Sequence, residues 1–464
     1  MAKTCSTVAS SKVQRVFAVI EDVSGTLQRP TAANYIMPAG RATMNQVPDY
    51  ANSEALTGSL DVIAQFKNKV KPGEGTIPMY VQLPSDGTKA QGADVFECMM
   101  GDEQPPNTVS AVIATGEDVD SSQDTVSVSG VVGGMFPRRG RVLIGSEQIL
   151  YRSVVETGGV VTSLADCVRG FAGTAAAPHA AGATVTLVSR AYAQDNCRAT
   201  FSVWIQDDHT VRFASGCVVT STSIPKSQEG GQRCDFGFQF RQAGWCGRSF
   251  LKAVPSTGVL SVATAKNSNG AGAYTVGGII KNATKNDDNS GAGYTVIAVD
   301  NNNGTITVSP VPSGWSKDDQ IAPWLPDAAP IGEALNASDT RVFIGGVAGK
   351  LLEGSITLNT PTAFTDDFDE FPGENADNTR ELSMDNSLYF RSEDAEEFKR
   401  GYEGYELPVN VVMGGKAGRT LTLIMPRVKF TMPTVDASDP FVTLKRTGAI
   451  LGTKGNDSLM IVQE

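Results

Sequence analysis

The feature that most constrains this fold is an alternation of apolar and polar side chains near the C-terminal end of the chain. The apolar residues are Leu421, Leu423 and Met425 before Pro426, and Val428, Phe430 and Met432 after it. A period of two places apolar residues on one face of a strand and polar residues on the other. The segment RTLTLIMPRVKFTM therefore predicts two strands that meet at Pro426 and bury one face.

The middle of the chain repeats this pattern in two further segments. In ATFSVWI, the residues Phe201, Val203 and Ile205 share one face, and a second strand, VRFASGCVVTSTSI, follows it. In CDFGFQF, the residues on one face are Cys234, Phe236, Phe238 and Phe240. Three aromatic residues at a period of two predict a buried sheet face.

Two short segments predict helices. The first is Ala93–Met100, with Asp94 near its start and Gly101 after its end. The second runs from Glu393 to about Tyr402 with Ser392 as its N-cap, and Phe398 and Tyr402 lie four residues apart, so we expect both to pack on a sheet.

Length and composition indicate two or three domains that are rich in strands. The chain has 464 residues, and its 48 glycines favour short strands joined by turns. The seven cysteines lack CxxC spacing, and most lie in apolar runs, which favours buried free thiols over a disulfide or zinc framework. The N-terminal residues lack a signal-peptide core and no segment is long enough to cross a bilayer. We therefore expect folding in a reducing cytoplasm and no membrane binding by this chain.

Negative charge is concentrated in one segment. The net charge of the chain is -11, and residues 365–397 hold twelve acids against Arg380 and Arg391, a net of -10. No basic surface for gripping nucleic acid is indicated. The acidic segment is interpreted either as a solvated loop and helix face or as a surface that repels DNA phosphates.

Changes in the pattern of strand and turn residues divide the chain into a core and two insertions. A discontinuous core is assigned to residues 1–107, 191–255 and 328–464, because these three segments have a similar sequence pattern. Residues 108–190, which include the hairpin pattern GRVLIGSEQILYRSV, form one predicted β-module. Residues 256–327, with the echo KNSNGAGAYTV and KNDDNSGAGYTV, form a second. We expect both modules to be self-contained.

A long hairpin is predicted near the N-terminal end. Apolar residues alternate from Leu60 to Phe66, and a second apolar run, residues 77–83, follows the turn-rich KPGEG. One helical face through Leu56, Leu60 and Ile63 is the alternative.

The order of these elements resembles the tail tube (major tail) proteins of long-tailed, non-contractile bacteriophages. The resemblance is carried by NSEALTGSLDVIAQF, TIPMYVQLPSDG, FASGCVV and the C-terminal stretch that begins RTLTLIMPR and closes TGAILGT. It implies a mainly β fold: a tail-tube-type β-sandwich or barrel core with one flanking α-helix, a long hairpin and a terminal arm, plus the two inserted modules. The module pattern CVRGFAGTAAAPHAAGATV is similar to small β-modules of phage tail proteins.

The resemblance also implies a structural virion protein, located in the virion tail and assembled in the host cytoplasm. Hexameric rings of the chain would stack into a tube through which DNA is ejected, in contact with tail terminator, tape measure and tail tip proteins. The implied stacking elements are the arm Ala2–Arg15 and residues 45–71. Candidate inter-ring contacts are Arg15, Tyr50, Leu60 and Phe66. Candidate bore-lining acids are Asp366, Asp367, Asp369 and Glu370, for which a solvated outer loop is the alternative.

Signals for an enzyme are weak, and we expect neither catalysis nor a cofactor. The two histidines, His179 and His209, lie outside any recognisable nucleophile motif, and GGVAGKL lacks phosphate-loop spacing and is interpreted as a turn. The acids of residues 118–124 and 365–370 do not match a calcium loop. The remaining alternatives are an adhesin or decoration protein built from immunoglobulin-like modules and, less favoured, a metal-dependent surface enzyme.

Overall fold

The protein is mainly β. A computed structural model describes residues 13–53, 64–84, 89–104, 110–131, 136, 140–171, 174–226, 229–328, 332–349, 351–366, 369–391, 395–416, 419–438, 441–453 and 455–463. Within these ranges the chain forms thirty-nine strands and two α-helices. The expected fold class is confirmed at this level.

The first piece of the chain contains eight strands and one helix. They are β1 (Gln14–Ile20), β2 (Tyr35–Ile36), β3 (Thr43–Asn45), β4 (Tyr50–Asn52), β5 (Gln65–Lys67), β6 (Gly73–Tyr80), β7 (Gln82–Leu83), α1 (Ala93–Met100) and β8 (Gly101–Gln104). Helix α1 has the predicted bounds, and it ends at Gly101, whose φ of 107° suits a residue without a side chain.

Eight strands then form a sheet of their own, which we call the module. They are β9 (Ser110–Ile113), β10 (Val126–Ser129), β11 (Gly140–Ile144), β12 (Glu147–Tyr151), β13 (Ser153–Thr157), β14 (Val160–Ala165), β15 (Val168–Phe171) and β16 (Thr184–Leu187), in the spatial order β13-β14-β10-β9-β16-β11-β12-β15. The predicted hairpin is confirmed as β11–β12.

The second piece contributes five long strands. They are β17 (Arg190–Gln194), β18 (Phe201–Asp207), β19 (Thr210–Lys226), β20 (Arg233–Phe240) and β21 (Gln242–Cys246). The face predicted from Phe201, Val203 and Ile205 is buried, as is the face predicted from Cys234 to Phe240. Both predictions are confirmed.

Six strands close into a small barrel. They are β22 (Ser249–Leu251), β23 (Val259–Ala263), β24 (Ile279–Asn282), β25 (Tyr294–Asp300), β26 (Thr305–Ser309) and β27 (Gln320–Pro323), in the order β22-β23-β26-β25-β24-β27. The barrel begins at Ser249, seven residues before the expected boundary.

The last piece contains twelve strands and the second helix. They are β28 (Glu333–Ala334), β29 (Arg341–Ile344), β30 (Val347–Gly349), β31 (Leu351–Asn359), β32 (Thr362–Phe364), β33 (Asn375–Asp377), β34 (Glu381–Tyr389), α2 (Ala395–Glu403), β35 (Glu406–Lys416), β36 (Arg419–Phe430), β37 (Thr434–Ser438), β38 (Phe441–Leu451) and β39 (Met460–Gln463). GGVAGKL spans the expected turn, with Gly345 and Gly346 between β29 and β30.

Strands of the first, second and last pieces join in one network of nineteen, the main sheet. Its hydrophobic core includes residues from β1, β18, β20 and β36 and the buried face of α1. The ring of Phe96 on α1 lies 5.5 Å from that of Phe236, in an edge-to-face contact. The helix is thus fixed to the sheet by aromatic packing.

Strand β19 belongs to both halves of the main sheet. It pairs with β21 up to Ser215 and with β18 up to Cys217, and it pairs with β20 from Val218 and with β31 from Ser221. The change of partners occurs at Gly216, whose φ of 64° is left-handed, and an added Cβ there would lie 2.8 Å from the side chain of Arg241. The buried carboxylate of Glu21 accepts the Gly216 amide at 2.9 Å and so holds this bend.

The C-terminal alternation forms one strand, and the prediction of two strands meeting at Pro426 is wrong. Strand β36 continues through the proline, and its register against β35 shifts between the pairs Leu407–Val428 and Val409–Met425. One extra residue in β36 at this point is a bulge, where proline is tolerated because no ladder hydrogen bond is needed. The bulge also explains why the β36 residues in the main core have odd numbers before Pro426 and even numbers after it. Met432 lies beyond the strand and is exposed.

The hairpin predicted across KPGEG is also wrong. Strand β5 pairs with β4, whereas β6 pairs with β3 and β20. Alternation identified the strands but could not identify their partners, because pairing depends on residues far away in the sequence. The alternative helical face through Leu56, Leu60 and Ile63 lies outside the described residues.

Candidate assembly surface

The β4–β5 pair, which we call the exposed hairpin, projects two aromatic side chains into solvent. All six of its strand residues are exposed, and Tyr50 and Phe66 retain 54% and 60% of their accessible surface. Tyr50 is opposite Lys67 and Phe66 is opposite Ala51. Since neighbouring positions on a strand point to opposite faces, one aromatic ring lies on each face of the hairpin. Leu60 lies outside the described residues.

The contacts of Arg15 lie away from the exposed hairpin, at Gln206 and Pro326. Its Nε donates to Oε1 of Gln206 at 3.0 Å, and its Nη1 donates to the Pro326 carbonyl at 3.1 Å. Burial lowers the pKa of Arg15, against the opposing effect of Asp327. The residue ties β1 to β18 and to the segment that follows the barrel. Residues 2–12 of the expected arm lie outside the described residues.

Two of the four candidate bore acids form ion pairs with the last residue of the exposed hairpin and with the segment that follows it. Asp366 Oδ1 lies 2.6 Å from Nζ of Lys69, and Glu370 pairs with Lys67. Asp369 is exposed, and Asp367 lies outside the described residues. The acidic segment is not a simple loop, since it contains β33, β34 and the first three residues of α2. Lysines of the same chain therefore offset part of the charge that was expected to face DNA.

A wide polar face of the main sheet was not singled out from the sequence. Strands β19, β31, β34 and β38 turn apolar residues such as Ile224, Ile356 and Met384 toward the core. On the opposite face, short side chains lie in register across the strands: Ser223, Thr357, Ser383 and Ala449 in one row, and Pro225, Ser355, Asp385 and Thr447 in the next. A groove of about 560 Å³ lies over the second row. The polar half of each strand's alternation was the signal that could have identified it.

Helix α2 does not pack as predicted. Tyr402 is 84% exposed, and none of the residues of α2 is buried, so the expectation that Tyr402 packs on the sheet is wrong. Phe398 does contact the end of β34, with its ring 6.0 Å from that of Phe390. Glu397 links the helix to the sheet through the buried Arg446, whereas its pair with Arg400 lies within the helix.

The module contains a buried carboxylate that was not predicted from the sequence. Glu147 is fully buried and accepts hydrogen bonds from donors on the CVRGFAGTAAAPH segment. The donors are Arg169 Nε at 2.9 Å and Nη2 at 2.8 Å, the Gly170 amide at 2.8 Å, the Ala177 amide at 3.1 Å and His179 Nε2 at 2.8 Å. Burial raises the pKa of Glu147, but these hydrogen bonds outweigh it and lower the pKa to about 2. The carboxylate and His179 are held in place by hydrogen bonds within the module and join its strands to the CVRGFAGTAAAPH segment.

A signal for this site was present in the sequence. Glu147, Ile149 and Tyr151 share one strand face, and the other two are apolar. An acid in phase with buried residues requires partners.

The predicted burial is confirmed for four of the described cysteines. Cys98, Cys217, Cys234 and Cys246 are buried, and burial raises the pKa of each thiol. Cys197 is exposed, contrary to the trend. His209 lies in the turn between β18 and β19, as predicted.

Neither helix in the described ranges has the length or the apolar surface needed to cross a membrane. No protein-family model matches the chain, and no curated protein matches it at a significant level. Its function is therefore argued from its own residues.

Proposed function

We propose that this chain is a structural subunit that assembles with copies of itself, as the tail tube subunit of a long-tailed bacteriophage. The observation that carries the proposal is the exposed hairpin. A two-stranded hairpin is marginally stable alone, and here it carries a large aromatic side chain on each face. Exposed apolar groups grouped on a projecting element are typical of interaction sites.

Open sheet edges support the same proposal. In the described part of the chain, β37 pairs only with β38, and Val435 and Phe441 beside it are exposed. A free edge of this kind can accept a strand from another copy, and a monomeric protein normally protects it. A head-to-tail contact of this type closes into a ring when the rotation between copies allows it.

The polar face of β19, β31, β34 and β38 is our preferred candidate for the bore. The two rows of short side chains contain Asp385 and no cation. Lys226, Lys445 and Arg446 also line the groove beside them, but Lys445 pairs with Asp436 and Arg446 pairs with Glu397, so DNA would pass with few retaining contacts. We prefer it to Asp366 and Glu370, because those two acids already pair with lysines.

Electron microscopy of the purified chain tests the proposal. We expect rings or tubes from the unaltered chain and their loss in Tyr50→Ser/Phe66→Ser. The matched control is Ile297→Ser, which removes an exposed apolar side chain from the barrel. Monodisperse monomers from the unaltered chain would favour the adhesin or decoration protein instead. The separate hydrophobic core of the module is compatible with that hypothesis. Equal assembly of both variants would remove the exposed hairpin from the mechanism.

A further inference from the structure

The segment that leaves the exposed hairpin is held by a second hairpin far away in the sequence. This second element, the acidic hairpin, consists of β32, β33 and the described residues between them, 365–366 and 369–374. Beyond the two ion pairs, the Val70 amide donates to the Glu370 carbonyl at 3.1 Å. Three contacts therefore join residues 67–70 to the acidic hairpin.

The acidic hairpin is itself fixed to the main sheet. The buried guanidinium of Arg198 contacts both carboxylate oxygens of Asp377, at 2.7 and 2.6 Å, and donates to the Val219 carbonyl at 2.7 Å. Burial raises the pKa of Asp377, but the bonds from Arg198 outweigh it and lower the pKa. A bidentate contact of this kind fixes direction as well as distance.

The exposed hairpin has few other supports. Its two strands pair with each other as a separate two-stranded sheet. At its base, Gln46 Nε2 donates to the Lys71 carbonyl at 2.9 Å, which fixes one end of the segment. The Asn68 amide also donates to the Asp49 carbonyl at 2.8 Å, and Lys71 pairs with Asp49 at 3.5 Å. These two contacts join the ends of the exposed hairpin to each other, whereas the acidic hairpin joins residues 67–70 to a distant part of the chain.

We propose that the acidic hairpin sets the direction of the exposed hairpin through the Lys67–Glu370 and Lys69–Asp366 pairs, and that high salt releases it. All four charged groups are wholly or partly exposed, so dissolved ions screen their attraction. Exposed pairs are individually weak, which makes the contact reversible under mild conditions. The inference concerns the unassembled chain and holds whether or not tubes form.

Hydrogen exchange of the full-length, unassembled chain tests this inference. At low salt we expect Lys69→Glu and Asp366→Lys each to speed exchange in peptides covering residues 64–71 by about two- to five-fold, the range expected for weak exposed pairs. The double variant Lys69→Glu/Asp366→Lys restores an ion pair with reversed charges and should return exchange toward the unaltered rate. Raising the salt concentration should bring the unaltered chain up to the rate of the single variants.

The control is Lys445→Glu, which breaks the 2.7 Å pair with Asp436 on the β37–β38 hairpin. It should leave exchange of residues 64–71 unchanged. Exchange in the double variant as fast as in either single variant would overturn the proposal. So would exchange in the unaltered chain that does not respond to salt.

Discussion

The module and the barrel are both inserted between strands of the main sheet, but they bury their apolar surfaces differently. The module has a separate cluster of fifteen buried residues, all from positions 111–187. The barrel shares one cluster with the main sheet, and Phe17, Trp204 and Phe213 belong to it. The ring of Trp204 lies 4.7 Å from that of Phe213. The barrel therefore does not match the expectation of a self-contained unit.

The two insertions enter and leave the main sheet in the same way. Gln104 is opposite Ala191 at the base of the module, and Ser249 is opposite Ile321 at the base of the barrel. Chain connection alone would make both equally removable. The difference teaches that independence depends on whether an insertion completes its own hydrophobic core, since the apolar surface left behind is what costs stability.

The largest expected effect is the difference in unfolding free energy between a chain without the module and a chain without the barrel. Replacing residues 105–189 with a short Gly/Ser turn should leave the main sheet folded. Replacing residues 252–318 in the same way uncovers Phe17, Trp204 and Phe213, which should cost about 5 to 9 kcal/mol of unfolding free energy at about 1.5 to 3 kcal/mol for each large side chain. That loss approaches the whole stability of an ordinary domain. Urea unfolding measures both, and equal stability of the two deletions would refute the contrast.

Single core substitutions should show the same contrast on a smaller scale. Trp204→Ala should cost about 3 to 5 kcal/mol, and hydrogen exchange should rise in the barrel and in the main sheet together. Ile149→Ala in the module should cost about 2 to 5 kcal/mol, with faster exchange confined to residues 110–187. Exchange that stays local after Trp204→Ala would show that the shared cluster does not couple the two regions.

Acid should loosen the module selectively. The pKa of Glu147 is about 2 in the folded chain, below its ordinary value of 4.5. A lowered pKa stabilises the fold above about pH 4.5, and this contribution of about 3 kcal/mol is lost as the pH falls toward 2. Glu147→Gln should remove most of it at neutral pH and flatten the acid dependence of exchange in residues 140–179. Glu117→Gln, at an exposed carboxylate of the same module, is the control and should leave that dependence unchanged.

Local patterns predicted strands and buried faces well. Cys234, Phe236, Phe238 and Phe240 lie in the core because a period of two is a property of each strand alone. Helix α1 has its predicted bounds because a helix of eight residues is set by neighbouring residues and a closing glycine.

Local patterns could not predict which strands pair with each other or which element covers a given sheet face. The sequence gives the buried face of β18 around Phe201, but it does not show that Trp204 on the other face is covered by a barrel more than forty residues later. Tyr402 fits a helical pattern that predicts contact with a sheet, yet charge holds α2 and leaves that side chain in solvent. Within the candidate site, alternation placed Phe66 in a predicted strand and the resemblance implied a contact at Tyr50. The ion pairs of Lys67 and Lys69 could not be predicted, because they join residues some three hundred positions apart.

The seventeen residues of β19 give the two halves of the main sheet a common backbone. Layers joined only by side chains can slide over one another, because each contact is weak and easily replaced. Here a sliding motion would have to turn the chain at Gly216, where Glu21 fixes the amide and Arg241 fills the adjacent space. Shear between the two halves is therefore resisted by the continuous backbone of β19 and by the packed bend at Gly216.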